Sequence, residues 1–301
     1  TTTPDAVRRK LEKEYGAEVI VDPASGNALT ISGDLDGNDV TLTGITLSGG
    51  STGIWLDVDA NVGTLTLTGV TVSDNTQYGI RTNLGALADL VIADGTFANN
   101  GTQTNLNGTA HLKLFNFTGN ATLTGVTIDG APDSTAVANR PDYAIEFTGV
   151  DNTLLASTDP TPSIGAILLT DVVIAGEFHK NALAVFNYGD IEGLAIDGVD
   201  LSDAVTSWGP VFNIDGIAGN VDASGYVIVL PDNGAIVTEL QGEKDGQDAT
   251  DSVIVGTDGN DRLIGKLGDD TLTGGDGDDE LYGGDKPGQP LEGDTGNDTL
   301  S

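Results

Sequence analysis

The chain has 301 residues, of which 46 are acidic and 12 basic, giving a net charge of -34. A surface this acidic repels itself and argues against nucleic acid or an anionic membrane as partner. Cysteine is absent, which removes disulfides and thiol chemistry, and no apolar run approaches the roughly 20 residues that a membrane helix needs. Residues 1–18 read as the one helix: Thr3 caps, Pro4 takes the first helical position, Asp5 suits the N-terminus, Val7, Leu11 and Tyr15 form a stripe, and Gly16 ends it. Arg8, Arg9, Lys10 and Lys13 then lie on the solvated outer face of an end cap.

From Asn38 onward the text repeats itself. Asp39-Val-Thr-Leu-Thr-Gly-Ile-Thr-Leu-Ser returns as Gly63-Thr-Leu-Thr-Leu-Thr-Gly-Val-Thr-Val-Ser, so Gly44 and Gly69 are 69 - 44 = 25 residues apart. Further copies begin at Leu90, Ala121, Ile167 and Leu194. A second short strand follows most of them, at Gly53-Ile-Trp-Leu-Asp, Gly79-Ile-Arg-Thr-Asn, Tyr143-Ala-Ile-Glu-Phe, Ala182-Leu-Ala-Val-Phe-Asn and Pro210-Val-Phe-Asn-Ile. Such a repeat cannot bury its apolar side alone, so neighbours must stack into a solenoid. Inward β-branched residues alternating with outward Thr and Ser suit parallel coils, whereas an antiparallel sandwich would not repeat its own sequence. The pattern resembles the right-handed parallel β-helix of the pectate-lyase-like kind, in which an N-terminal helix plugs the first coil. Residues 19–240 are expected to form this all-β solenoid, with Ala131–Pro141 and Asp151–Ser163 as loops thrown out from it and 241–255 as a linker.

At Gly256 the step changes to nine. Gly-Thr-Asp-Gly-Asn-Asp-Arg-Leu-Ile, Gly-Lys-Leu-Gly-Asp-Asp-Thr-Leu-Thr and Gly-Gly-Asp-Gly-Asp-Asp-Glu-Leu-Tyr follow one another, with Asp261, Asp270 and Asp279 in the sixth position and Leu263, Leu272 and Leu281 in the eighth. Gly256, Gly259, Gly265, Gly268, Gly274 and Gly277 supply the turns. A flexible acidic linker would not need a leucine at every ninth residue. The run resembles the calcium-binding nonapeptide of the RTX family of secreted bacterial proteins. That resemblance implies a parallel β-roll over 256–301, with Ca²⁺ held between stacked turns by turn carbonyls and by the sixth-position carboxylates of units n and n+2. Asp261 then pairs with Asp279. Asp270 meets Gly288, the fourth unit is interrupted by Pro287 and Pro290, Glu292 shifts the frame, and Asp298 restores the pattern. Hard oxygen donors suit Ca²⁺. The family also implies an extracellular or cell-surface location, type I secretion through an uncleaved C-terminal signal, and a fragment or processed form beginning at Thr1 and stopping inside a repeat at Ser301.

A β-helix followed by such repeats resembles the calcium-dependent mannuronan C5-epimerases and related uronan lyases. Their Asp-Pro-His segment is missing: Asp22-Pro23 and Asp159-Pro160 are followed by Ala24 and Thr161. A uronate epimerase needs a cation, a base and an acid together. Arg81, Tyr143, Glu146 and His179 are the catalytic candidates, with Lys180 and Tyr188 near them, and Asp142 with Glu146 is a possible glycosidase pair. Trp55, Phe186, Trp208 and Phe212 are the candidates for stacking on sugar. The sequence favours a structural, adhesive or matrix-binding module over an enzyme, with polysaccharide or a second copy as partner. A polysaccharide lyase or epimerase is the alternative.

Overall fold

One residue per coil in the left-handed region sets the architecture. Gly44, Gly69, Asp94, Gly125, Asp171 and Gly198 have φ of 59°, 57°, 52°, 61°, 51° and 65°. These are residue types for which that conformation costs least. Each of the first five donates its N–H to the next coil, as from Gly44 to Thr68 O at 2.9 Å and from Asp94 to Thr124 O at 3.0 Å. The repeated stretch therefore bends in the middle. What reads in the sequence as one strand is two, Val40–Thr43 and Thr46–Ser48 in the first copy. Each repeat thus contributes to three sheets.

The computed structural model describes residues 18–20, 26–83, 87–102, 108–132, 136–149, 164–186, 191–201, 203–207, 210–222, 226–227, 238–242, 253–265, 269–283, 291–292 and 299–300. Face one stacks Leu29–Ser32, Thr52–Leu56, Tyr78–Arg81, Ala110–Phe115, Tyr143–Thr148, Asn181–Phe186 and Phe212–Asp222, all in parallel. Face two stacks Val40–Thr43, Val62–Thr68, Leu87–Ala93, Ala121–Thr124, Ile164–Thr170 and Ile191–Asp197. Face three runs from Thr46–Ser48 to Tyr226–Val227. This is a parallel β-helix. Among the described residues the one antiparallel ladder joins Glu18–Ile20 to Thr30–Ser32 at the first coil, where it pairs an otherwise open edge. The expected helix falls on residues 1–17, outside the described residues, and Glu18 belongs to this strand.

Between the faces lies an apolar stack. Leu47, Val72, Phe97, Ile128 and Ile174 occupy one column in register, and each is almost wholly buried. Such burial is worth about 1.5–3 kcal/mol per side chain. Asn75 and Asn100 line an inner turn as a polar ladder: Asn75 Nδ2 donates to Asn100 Oδ1 at 2.9 Å, and Gly50 N donates to Asn75 Oδ1 at 3.0 Å. Paired in this way, buried amides lock the coils in register at little cost.

On face one the alternation slips. Ala144 and Ile145 both lie in the main core, as do Ala182 and Leu183, while Tyr143 packs in a separate outer cluster with Ala110 and Ala184. Gly53 and Gly79 fill the equivalent corner in earlier coils, where a Cβ would come within 2.3 Å of Val72 Cγ1 and 2.4 Å of His111 O. The slip turns Tyr143 and Glu146 to the same side. It sets the positions of the side chains described below.

The sheets continue into the nine-residue repeats. Phe212–Asp222 is long enough to pair on face one with Thr238–Gly242 and on face two with Val253–Val255. Those strands stack on Asp261–Ile264 and Thr271–Thr273. Glu280–Tyr282, Leu291–Glu292 and Thr299–Leu300 follow. Residues 241, 242 and 253–255 of the expected linker are thus strand, and 243–252 lie outside the described residues. The extra residue of the fourth unit comes before Leu291, since Leu272 pairs with Leu291 and Thr273 with Glu292. Glu292 itself is in frame. Among the described residues no helix is long and apolar enough to cross a membrane.

Candidate functional site

Two regions concentrate chemistry, and the first is the roll. Asp261, Asp270 and Asp279 are 0%, 0% and 1% exposed, an environment that carboxylates enter only with compensation. Part of it is local: Thr257 donates to Asp261 through its N–H at 2.5 Å and its hydroxyl at 2.8–2.9 Å, and Asp261 N donates to Asp279 Oδ1 at 2.9 Å. Burial still pushes the Asp261 carboxyl up to about 7, and the charge of Asp279 adds to that against the hydrogen bonds from Thr257 and Thr238. The turns stack too closely for side chains. A Cβ on Gly275 (φ 98°) would fall 2.0 Å from Thr257 O, and one on Gly277 (φ 123°) 2.6 Å from Gly259 O. Gly256, Gly259, Gly265 and Gly274 are buried in the same turns, whereas Gly268 and Asp298 lie outside the described residues. Among the described residues no three carboxylate or imidazole groups converge. A cation here would draw much of its shell from backbone oxygens, and an all-oxygen donor set fits Ca²⁺.

The family model for the RTX calcium-binding nonapeptide repeat, in four copies, matches residues 255–285. These coils are RTX repeats. They bind Ca²⁺, and the buried carboxylates and side-chain-free turns of the RTX roll are the physical form that this takes here. No curated protein and no solved structure matches the chain.

The second region is the outer side of face one. Between residues 19 and 243 the sequence holds four Lys and Arg residues, Arg81, Lys113, Arg140 and Lys180, and both histidines. All belong to face-one strands or the corners leading into them. Register puts Trp55, Arg81, Lys113 and Glu146 side by side on successive coils, about 4.8 Å apart per step. The Arg81 guanidinium carbon lies 4.9 Å from the ring centroids of both Trp55 and Tyr78, within cation–π range. Lys113 Nζ pairs with Glu146 at 2.5 Å.

One step along the stripe, the segments 108–110, 141–143 and 179–181 stack through backbone bonds, such as Asp142 N to Thr109 O at 3.0 Å and His179 N to Pro141 O at 2.8 Å. This stacking aims three groups at Asp142. Its carboxylate accepts from Gly108 N at 2.5 Å, His179 Nδ1 at 2.8 Å and Lys180 Nζ at 3.1 Å. Lys180 Nζ also lies 5.2 Å from the Tyr143 ring centroid. Burial, and then the charge of Glu146, pushes the Tyr143 phenol up to about 12. Tyr143 is therefore protonated at neutral pH. Arg140 closes the edge, bonded to Glu177 at 2.8 Å and to Ser207 Oγ at 2.7 Å.

Arg81, Tyr143, Glu146 and His179 thus share one stripe. Glu146 and Asp142 are ion-paired with Lys113 and Lys180 respectively. Phe212 is core, and the side chains of Phe186, Tyr188 and Trp208 lie outside the described residues. Sequence reasoning missed Tyr78 and Lys113 as members. The signal was present in Ala110-His-Leu-Lys-Leu-Phe, whose Leu112 and Leu114 mark a face-one strand with Lys113 outward.

Proposed function

We propose that the chain is a secreted, calcium-stapled β-helix that binds an extracellular polysaccharide along the outer side of face one, without turnover. The observation that carries this is the gathering of all four Lys and Arg residues of 19–243, together with His179, Trp55, Tyr78 and Tyr143, along one stripe and its edge on an otherwise acidic solenoid, while His111 is buried inside. Aromatic rings stack on sugar faces, and cations with fixed partners orient hydroxyls and acidic groups. In the roll, Asp261 and Asp279, with carbonyls of turns 256–259 and 274–277, are the groups that would hold Ca²⁺, and Asp270 belongs to the opposite face. RTX repeats are typical of secreted proteins, and millimolar extracellular calcium suits such sites.

One observation favours a second reading, a uronan lyase or epimerase. His179 Nδ1 lies 2.8 Å from Asp142 Oδ1 and Tyr143 lies beside the same cluster, an imidazole and a phenol of the kind that proton-transfer chemistry uses. Calorimetry with alginate and pectate in calcium, alongside ultraviolet detection of unsaturated ends and proton NMR at C5, separates the two. Saturable binding with unchanged polymer is the expected result. Turnover lost in His179→Ala would establish the enzyme instead, and calcium-dependent self-association without polymer binding would favour assembly between copies.

A further inference from the structure

In a chain of 46 acids and 12 bases, every cation should find a carboxylate. Among the described residues four do: Lys113 with Glu146, Arg140 with Glu177, Lys180 with Asp142, and Arg262 with Glu239 and Glu280. Arg81 has no ion-pair partner among the described residues, and its Nε is buried without a hydrogen bond. A buried donor left unmade is costly, so the chain places this guanidinium here at the expense of one hydrogen bond. The guanidinium lies over the rings of both Trp55 and Tyr78. A guanidinium is a rigid fork of N–H groups matched to a planar pair of oxygens. Its neighbour in register, Lys113, is already neutralised by Glu146.

We propose that Arg81, set against both Trp55 and Tyr78, is the carboxylate-recognition point of the stripe, which makes the bound polysaccharide an acidic one with an exposed ring face for Trp55. This assignment rests on the polysaccharide reading and gives it a specificity-determining residue. Arg81 selects the ligand by charge and fork geometry, Trp55 stacks on the adjoining sugar, and the bound carboxylate supplies the partner that the acidic chain withholds.

The test uses the full chain in calcium with Trp208→Phe, which leaves Trp55 as the sole indole of the two present. Its fluorescence is titrated with a uronate oligosaccharide, with the carboxyl-reduced form of the same oligosaccharide, and with a sulfated neutral glycan. The expected result is saturable binding of the uronate, weakened about 10- to 100-fold by Arg81→Ala and also by Arg81→Lys, which keeps the charge and loses the fork. Carboxyl reduction should weaken the parent protein to the same level and leave the variants unaffected. Arg81→Lys guards against misfolding of the alanine variant, and unchanged circular dichroism checks both. Equal uronate affinity in parent and variants overturns the Arg81 assignment and leaves polysaccharide binding standing. An equal loss for the carboxyl-reduced oligosaccharide overturns it as well, by making Arg81 a prop for Trp55. Arg81-dependent binding of the sulfated glycan alone replaces carboxylate by sulfate ester. No binding by the parent to any glycan overturns the polysaccharide reading, and the Arg81 assignment with it.

Discussion

The β-helix and the RTX roll share their sheets but close them by opposite means. Three faces around Leu47, Val72, Phe97 and Ile128 bury apolar surface on every side. Two faces around Leu263, Leu272 and Leu281 bury one leucine per strand and place a carboxylate beside each. Hydrophobic burial alone suffices for the first. In the second, the same hydrogen-bonded ladder encloses Asp261 and Asp279, which only a cation can neutralise without protonating them. A parallel solenoid can therefore change its source of stability from one coil to the next without breaking its ladder. The change falls between Thr238, whose hydroxyl bonds Asp261, and Asp261 itself.

The sharpest way to break the comparison is to put a charge into the apolar stack. Val70→Asp is expected to unfold the β-helix with or without calcium, at a cost of more than about 4 kcal/mol, as read by chemical denaturation. Asp279→Ala should do the reverse. It should raise the calcium midpoint of roll folding at least about tenfold while leaving the β-helix transition in place. Glycine gives a finer contrast. Gly275→Ala meets Thr257 O at 2.0 Å, whereas Gly69→Ala meets nothing within 4 Å. The first should cost several times the roughly 1 kcal/mol of left-handed strain expected of the second.

Acid probes the β-helix through His111. Burial depresses its pKa to about 3. The folded imidazole stays neutral while the unfolded one protonates below about 6.5, so stability is present above that pH and is lost as pH falls toward 3. His111→Gln should flatten this part of the pH profile, an effect on the order of a few kcal/mol at its limit. The smallest effect belongs to Arg262, partly exposed between Glu239 and Glu280, where Arg262→Ala should cost at most about 1 kcal/mol in thermal unfolding.

Much of this was legible in the residues. The steps of 25 and nine gave stacked parallel coils, because a repeat that buries its apolar side only against its neighbour must be a solenoid. The third face was not legible, since Gly44 and Asp94 sit inside stretches that alternate as single strands, and only a left-handed φ shows the bend. Nor was the continuity of the roll. Thr238 stands in register with Asp261 without the glycine and aspartate signature, because a hydroxyl can serve where no cation has to be held. Arg81, Tyr143, Glu146 and His179 could each be named, but their meeting depended on the corner at Ala144 and Ala182, where two successive residues turn inward and the period-two pattern fails.

Hydrogen exchange along the full chain, with calcium and then with a chelator, tests most directly whether one sheet is held by two kinds of core. Removal of calcium is expected to abolish protection over residues 253–282, to weaken it in Thr238–Gly242 and Phe212–Asp222, which pair with the roll, and to leave residues 29–129 unchanged. Full protection of residues 253–282 without calcium would contradict the claim that buried aspartates make the roll depend on the cation. Uniform loss from residue 29 onward would contradict the claim that the apolar stack stands without it.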